Sequence, residues 1–188
     1  NYSDKFQKSI HYIAGLEYDL NQKIDFQIEG YVKDFNQLTN INRDRTSNND
    51  NQFIVEKGSA KGIDILTKFK SKELYIWLVY SYSMVERKDE DFTYSPHFDR
   101  RHNVNFVSSF NLDKKRTWKA DVRWNLGSGF PFTQTQGFYE NIPFDNGINT
   151  NITQINGDLE ITYAELNKGR LPYYHRLDFS LSKKFELF

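Results

Sequence analysis

His97, Asp99 and His102 place two imidazoles and a carboxylate inside one six-residue stretch. Such a trio could orient and deprotonate a nucleophile or a water, provided that base, orienting group and nucleophile come within hydrogen-bond reach. His97 and Asp99 fall in a connection beside Pro96. Asp99-Arg100-Arg101-His102 carries more cation than acid, the composition of a charge cluster that fixes a loop to a strand top. Catalysis is therefore not expected, and a hydrolase is only a third alternative. Metal binding has as little support. His11, His97, His102 and His175 show no ligand spacing such as H-x-x-x-H, and the absence of cysteine removes thiolate sites. No metal and no cofactor are expected.

Composition narrows the class. The 188 residues carry 25 acidic and 25 basic side chains, and a net charge of zero lacks the basic footprint of a nucleic-acid binder. Sixteen Phe, twelve Tyr and three Trp argue against disorder, yet mean hydropathy is only −0.75. A membrane helix needs about 20 apolar residues, and the longest uninterrupted run here is Tyr75–Tyr80. No basic segment followed by an apolar one opens the chain, so no signal peptide is visible.

Alternation with period two locates the elements that must position these side chains. Ile10, Tyr12, Ala14, Leu16, Tyr18 and Leu20 alternate with Ser9, His11, Gly15, Glu17 and Asp19. Ile24, Phe26, Ile28 and Val32 alternate with Asp25, Gln27, Glu29 and Lys33. The same pattern recurs around Ile63–Phe69, Leu74–Met84, Val104–Leu112, Trp118–Leu126 and Leu177–Leu181. Side chains of a strand point to opposite faces in turn, so seven half-buried strands are expected. Most run about 10–12 residues, longer than the roughly 5–6 of soluble strands and close to the roughly 9–11 of a tilted spanning strand.

The connections alternate too. Tight ones at Asn21–Lys23, Lys70–Glu73 and Asp113–Arg116 take turns with long ones at roughly 36–58, 86–101 and 128–174. Short turns at one rim and long loops at the other describe an antiparallel up-and-down transmembrane β-barrel, with the short turns periplasmic. On that orientation Tyr12, Tyr82 and Trp124 approach the outer rim of the apolar face, and Tyr18, Phe69 and Trp118 approach the inner rim. These are the expected lipid-interface aromatics. The competing expectation is a soluble sandwich or lipocalin-like barrel with these aromatics in its core. Seven strands do not make a bacterial barrel, which takes an even number. Residues 1–188 are therefore expected to be part of a larger one.

Five segments carry a family resemblance. Lys61-Gly62-Ile63-Asp64, Trp77-Leu78-Val79-Tyr80-Ser81-Tyr82-Ser83, Phe98-Asp99-Arg100-Arg101-His102-Asn103, Gly127-Ser128-Gly129-Phe130-Pro131-Phe132-Thr133 and Gly169-Arg170-Leu171-Pro172-Tyr173-Tyr174-His175-Arg176-Leu177-Asp178 follow in this order. Together they resemble the C-terminal barrel strands of TonB-dependent outer-membrane receptors, in the version common in Bacteroidetes. The resemblance implies a barrel of about 22 strands with a plugged lumen. It implies residence in the Gram-negative outer membrane and energy-coupled uptake of a scarce ligand: siderophore, haem, cobalamin, saccharide or peptide. The implied partners are outer-membrane lipid, the rest of the barrel, its plug domain, the TonB complex and the imported ligand, with no nucleic acid. Plug, TonB box and last strands are not among these residues. A passive porin or structural barrel is the alternative.

Within that frame Glu29, Arg101, Arg123 and Arg176 are candidates to face the lumen or plug. Gly58, Ala60 and Gly62 share their face, where small side chains would admit the plug backbone or simply allow a bulge. The connection 128–174 is longer than closure requires. Its aromatic side chains Phe130, Phe132, Phe138, Tyr139, Phe144 and Tyr163 are the candidate ligand-binding residues.

Overall fold

The computed structural model describes residues 6–42, 49–89, 92–142, 147, 151, 153 and 156–185. Among these residues the chain is all-β. Twelve strands form: β1 (Ser9–Leu20), β2 (Ile24–Ile41), β3 (Phe53–Lys70), β4 (Leu74–Lys88), β5 (Thr93–Tyr94), β6 (His102–Asn111), β7 (Trp118–Gly127), β8 (Pro131–Phe132), β9 (Thr135–Asn141), β10 (Asp158–Tyr163), β11 (Gly169–Arg170) and β12 (Tyr174–Lys183). The seven long ones build a single antiparallel sheet in the order β1-β2-β3-β4-β6-β7-β12, with β5 attached to β4. Each long strand pairs with the long strand before it, as the alternation of turns and loops requires.

Register sorts the side chains. One row of directly paired residues runs Leu16, Ile28, Ile65, Tyr80, Val104, Leu126, His175 across all seven strands. The row one residue away runs Glu17, Gln27, Leu66, Val79, Asn105, Asn125, Arg176 and points to the opposite side. Because paired residues share a face and neighbours alternate, the sheet has one predominantly apolar face and one predominantly polar face. Tyr12, Tyr18, Phe69, Tyr82, Trp118 and Trp124 all fall on the apolar one.

Among the described residues nothing packs on that face. Leu16 is 75% exposed and Phe179 67%, and Tyr94 is the one buried hydrophobic residue among those described. A sheet face about 34 Å wide (seven strands at ~4.8 Å) and ~30 Å tall covers on the order of 1,000 Å². Exposed apolar patches of soluble monomers usually stay near 300–600 Å². The edges are open as well, β1 on one side and β12 on the other.

The tight turns form a staircase. The last paired rows are Leu20↔Ile24, Lys70↔Tyr75 and Asn111↔Lys119. The first of these rows continues through Phe69, Ile76 and Ser108, so the third hairpin ends three residues further on. Three residues of ~3.3 Å over four spacings of ~4.8 Å lean the strands by roughly 27° if the turns share a plane. Closed barrels lean 35–45° by the same stagger. Local chemistry closes each turn. Asn21 and Gln22 both adopt φ 55°, which matches the right-handed twist of the flanking strands. Asp113 accepts from the Trp118 amide at 2.8 Å and the Thr117 hydroxyl at 2.8 Å.

Two expectations need correction. The connection at 36–58 is shorter, because β2 runs to Ile41 and β3 starts at Phe53. A bulge between Phe35 and Leu38 shifts the phase of β2 and hides its continuation from a period-two count. The connection 128–174 is not irregular either: β8 pairs β11 and β9 pairs β10 within it. Phe188, beyond which the last strands are expected, lies outside the described residues.

The hydrogen bonds to Asp113 hold its carboxyl below the usual value of 3.8, the Trp118 amide contributing most. A depressed carboxylate stabilises the fold above its unfolded pKa and loses that contribution as pH falls through the folded one. Acid titration of Asp113→Asn should therefore show a shallower loss of stability below about pH 4 than the parent. Superimposable acid-unfolding curves would contradict this role of the turn.

Candidate functional site

Polar chemistry concentrates at the rim that carries the long connections. Residue Asp99 follows a turn in which its amide donates to the Pro96 carbonyl at 2.9 Å, and its side chain is completely buried. Oδ1 accepts from the Val85 amide at 2.9 Å, and Oδ2 from Arg101 Nε at 2.9 Å and from Arg170 Nη2. Arg170 also reaches the Asp99 carbonyl at 2.9 Å and the Gly129 carbonyl at 3.4 Å. One carboxylate thus joins β4, the start of β6 and the far end of the long connection. Its lone pairs are taken by a backbone amide and two guanidiniums, which is how a buried carboxylate is tolerated.

A second hub lies on β3. Glu56 is 1% exposed. Its carboxylate accepts from Tyr94 Oη at 2.9 Å and Asn40 Nδ2 at 2.9 Å, and pairs with Arg87 Nη1 at 3.3 Å. These bonds tie the upper ends of β2, β3 and β4 to β5.

The long connection is built on the Asp99 hub. Leu171 N donates to Phe130 O at 3.0 Å, Asn167 N to Thr133 Oγ1 at 3.1 Å, and Asn167 Nδ2 to Ser95 O at 2.8 Å. A Cβ on Gly129 would lie 1.5 Å from the Leu171 carbonyl oxygen, so only glycine lets these two segments meet. From this base the β9–β10 hairpin projects. Phe138, Leu159, Ile161 and Tyr163 share one of its faces by register and are all exposed. Tyr139 lies on the other, where its hydroxyl donates to Glu160 at 2.6 Å. That bond raises the pKa of Tyr139 and, with Asn141, lowers that of Glu160.

The six aromatics singled out in the sequence therefore do not form one cluster. Phe130 lies under the Arg100 guanidinium at 4.2 Å, and Phe132 packs in the β8–β11 pair, its ring 2.9 Å from where a Cβ on Gly169 would lie. Phe138 and Tyr163 share the hairpin face, and Tyr139 stands opposite. Phe144 lies outside the described residues.

The polar-face candidates divide similarly. Glu29 stands directly across from Asp64, and Arg123 across from Asp178. Arg176 donates from Nε to Asp178 at 3.0 Å. Arg101 is committed to Asp99 rather than presented to the open side. A Cβ on Gly62 would meet the Tyr31 hydroxyl at 2.5 Å, and one on Gly58 would meet Leu38 Cδ1 at 2.6 Å, beside the β2 bulge. These two glycines make room for the chain's own side chains. Ala60 sits between them, across from Lys33.

His97, Asp99 and His102 are held by different partners. His97 is exposed with its ring edge-on to Phe98. His102 Nδ1 lies 2.9 Å from the Tyr80 hydroxyl on the apolar face. No group of three potential metal-ligating residues occurs among the described residues. Known protein-family models and curated proteins show no match to this chain.

Glu56 and Arg87 carry no local sequence signal, and Arg170, though inside a segment of the resemblance, shows none for its partner, because each finds it through strand pairing or loop return. Asp99→Asn keeps the shape of the hub but leaves two guanidiniums facing a neutral amide. It should cost about 3–5 kcal/mol, the typical cost of breaking a buried pair, and expose 128–173 to protease before the strands. A thermal melt and digestion pattern equal to the parent would refute the hub.

Proposed function

We propose that this chain is wall and outer-rim loop of an outer-membrane β-barrel of the TonB-dependent receptor type, which captures a scarce ligand outside the cell and imports it with energy from the inner membrane. The observation that carries the membrane part is the apolar face of a single-layer sheet, continuous over seven strands and left uncovered by the described residues. From Tyr12 to Leu20 that face is about 26 Å along the strand, or ~23 Å along the normal after the lean. The outward apolar band of an outer-membrane barrel is ~25 Å tall. Open sheet edges are not tolerated in hydrocarbon, where each unpaired backbone group costs several kcal/mol. In this proposal β1 and β12 therefore pair with further strands, and the polar face lines the lumen.

The receptor part rests on the resemblance and on the build of the long-loop rim. A wall alone needs no hairpin raised on a buried carboxylate hub. The β9–β10 hairpin, with Phe138, Leu159, Ile161 and Tyr163 displayed to solvent, is the proposed capture element. Its rigid base limits the ordering entropy lost when ligand binds.

The test is growth of the producing bacterium with iron, haem, cobalamin, saccharide or peptide made limiting in turn. Removing 136–165 should abolish growth on one of these, as should disabling the inner-membrane energising complex, while the protein remains in the outer membrane. Growth that depends on the protein but not on that complex would make it a passive porin. Recovery of the intact protein as a detergent-free soluble monomer would end the membrane proposal.

A further inference from the structure

Lysine gathers at the tight-turn end of the sheet, in three places on neighbouring strands. The β3–β4 turn carries Lys70 and Lys72, the β6–β7 turn Lys114 and Lys115, and the end of β12 Lys183 and Lys184. Backbone bonds hold the three side by side. Asn111 N donates to the Glu73 carbonyl at 2.8 Å, and Lys184 N to the Thr117 carbonyl at 2.8 Å. From β3 to β12 the patch spans four strand spacings, or about 19 Å.

All six lysines are exposed. Among the described residues, none of them takes part in an ion pair. The acids nearby are engaged elsewhere. Glu73 faces Arg116 at 3.8 Å, Asp113 closes its own turn onto the Trp118 amide and the Thr117 hydroxyl, and Asp121 pairs with Lys119 at 2.8 Å. Residues 70–73, 113–116 and 183–184 together hold seven cations against two acids, in a chain whose net charge is zero. The first turn adds no excess, since Asp19 and Asp25 flank Lys23. Glu186 follows in the sequence, outside the described residues.

The apolar face ends where these lysines begin. Phe110, Leu112, Trp118 and Phe185 are exposed along that edge. Lys183 lies on the apolar face itself, directly across from Trp118. Its ammonium stands 4.8 Å from that ring and 4.9 Å from the ring of Phe185. A lysine that covers aromatic surface at the end of an apolar band suits the level where acyl chains give way to headgroups. A soluble acidic partner would meet the turn lysines but leave the adjoining apolar edge bare. An anionic bilayer surface meets both.

We propose that this rim is a contact surface for anionic phospholipid in the leaflet on the tight-turn side of the sheet. Lysine clusters that flank a membrane-spanning segment attract anionic lipid, and each ammonium binds phosphate as a compact point charge. The proposal rests on the apolar face being the membrane face.

Electron spin resonance of the intact protein in phosphatidylcholine bilayers tests it, with spin-labelled phosphatidylglycerol or phosphatidylcholine as probe. At low salt the parent should immobilise phosphatidylglycerol about fivefold more strongly, the preference that one lysine per lipid supplies. About 1 M salt, which screens beyond ~3 Å, should lower that preference. The variant Lys70→Gln, Lys72→Gln, Lys114→Gln, Lys115→Gln, Lys183→Gln, Lys184→Gln should lose it while keeping the heat-modifiable gel migration of a folded barrel. Lys57→Gln, Lys61→Gln, Lys88→Gln, at the opposite rim, should keep it. Inorganic phosphate should compete no better than chloride at equal ionic strength. No preference in the parent, an unchanged preference in the six-lysine variant, an equal loss in the opposite-rim variant, or specific competition by phosphate would each overturn the surface. A protein that needs no detergent would instead remove the membrane reading beneath it.

Discussion

One constraint governs the described structure: a single sheet layer puts the apolar side chains of seven strands on one face, and no described residue covers that face. Soluble β proteins solve the same problem with a second layer or by closing the sheet around an apolar core. Neither is present among the described residues. Strand length, the stagger of the tight turns and the apolar central rows of one face all agree with a sheet that is one wall of something wider. Under the proposed function the missing second layer is lipid and the missing edge partners are further strands.

The two rims divide the remaining work. At one, three- to six-residue connections are closed by left-handed Asn21 and Gln22 and by the Asp113 carboxylate. At the other, Glu56 and Asp99 do what an apolar core does elsewhere, fixing segments that are distant in sequence. A buried carboxylate with its guanidiniums adds little net stability over an apolar cluster of equal volume, but removing one partner is costly. Such hubs therefore specify position. The Asp99 hub holds the base of the β9–β10 hairpin in one place, which under the proposed function suits a loop that captures ligand.

Legibility in the sequence followed physical locality. Strands with unbroken alternation, such as Ser9–Leu20 and Trp118–Gly127, were readable almost to the residue, since one face is apolar throughout. The upper halves of β2 and β3 were not, because the Phe35–Leu38 bulge changes phase. Gly58 and Gly62 read equally as room for a plug or as allowance for a bulge, and the side chains that approach them, Leu38 and Tyr31, come from the neighbouring strand through pairing that no local pattern shows. The charge excess around Asp99 pointed to a loop anchor, but its principal partner Arg170 lies 71 residues away, beyond any local pattern. The aromatics of the long connection share only composition in the sequence; Phe130 and Phe132 lie at its base, and Phe138 and Tyr163 stand on the hairpin face opposite Tyr139.

The chain contains no cysteine, so single cysteines can be introduced without background. Spin labels at Leu16, Glu17, Ile28, Gln27, Ile65 and Leu66 of the membrane-inserted protein sample adjacent positions on both faces of three strands. Labels at Leu16, Ile28 and Ile65 should be relaxed by dissolved oxygen and shielded from a water-soluble nickel chelate. Those at Glu17, Gln27 and Leu66 should show the reverse. Equal access of the nickel chelate to all six would mean that water covers both faces, and would contradict the membrane-facing sheet.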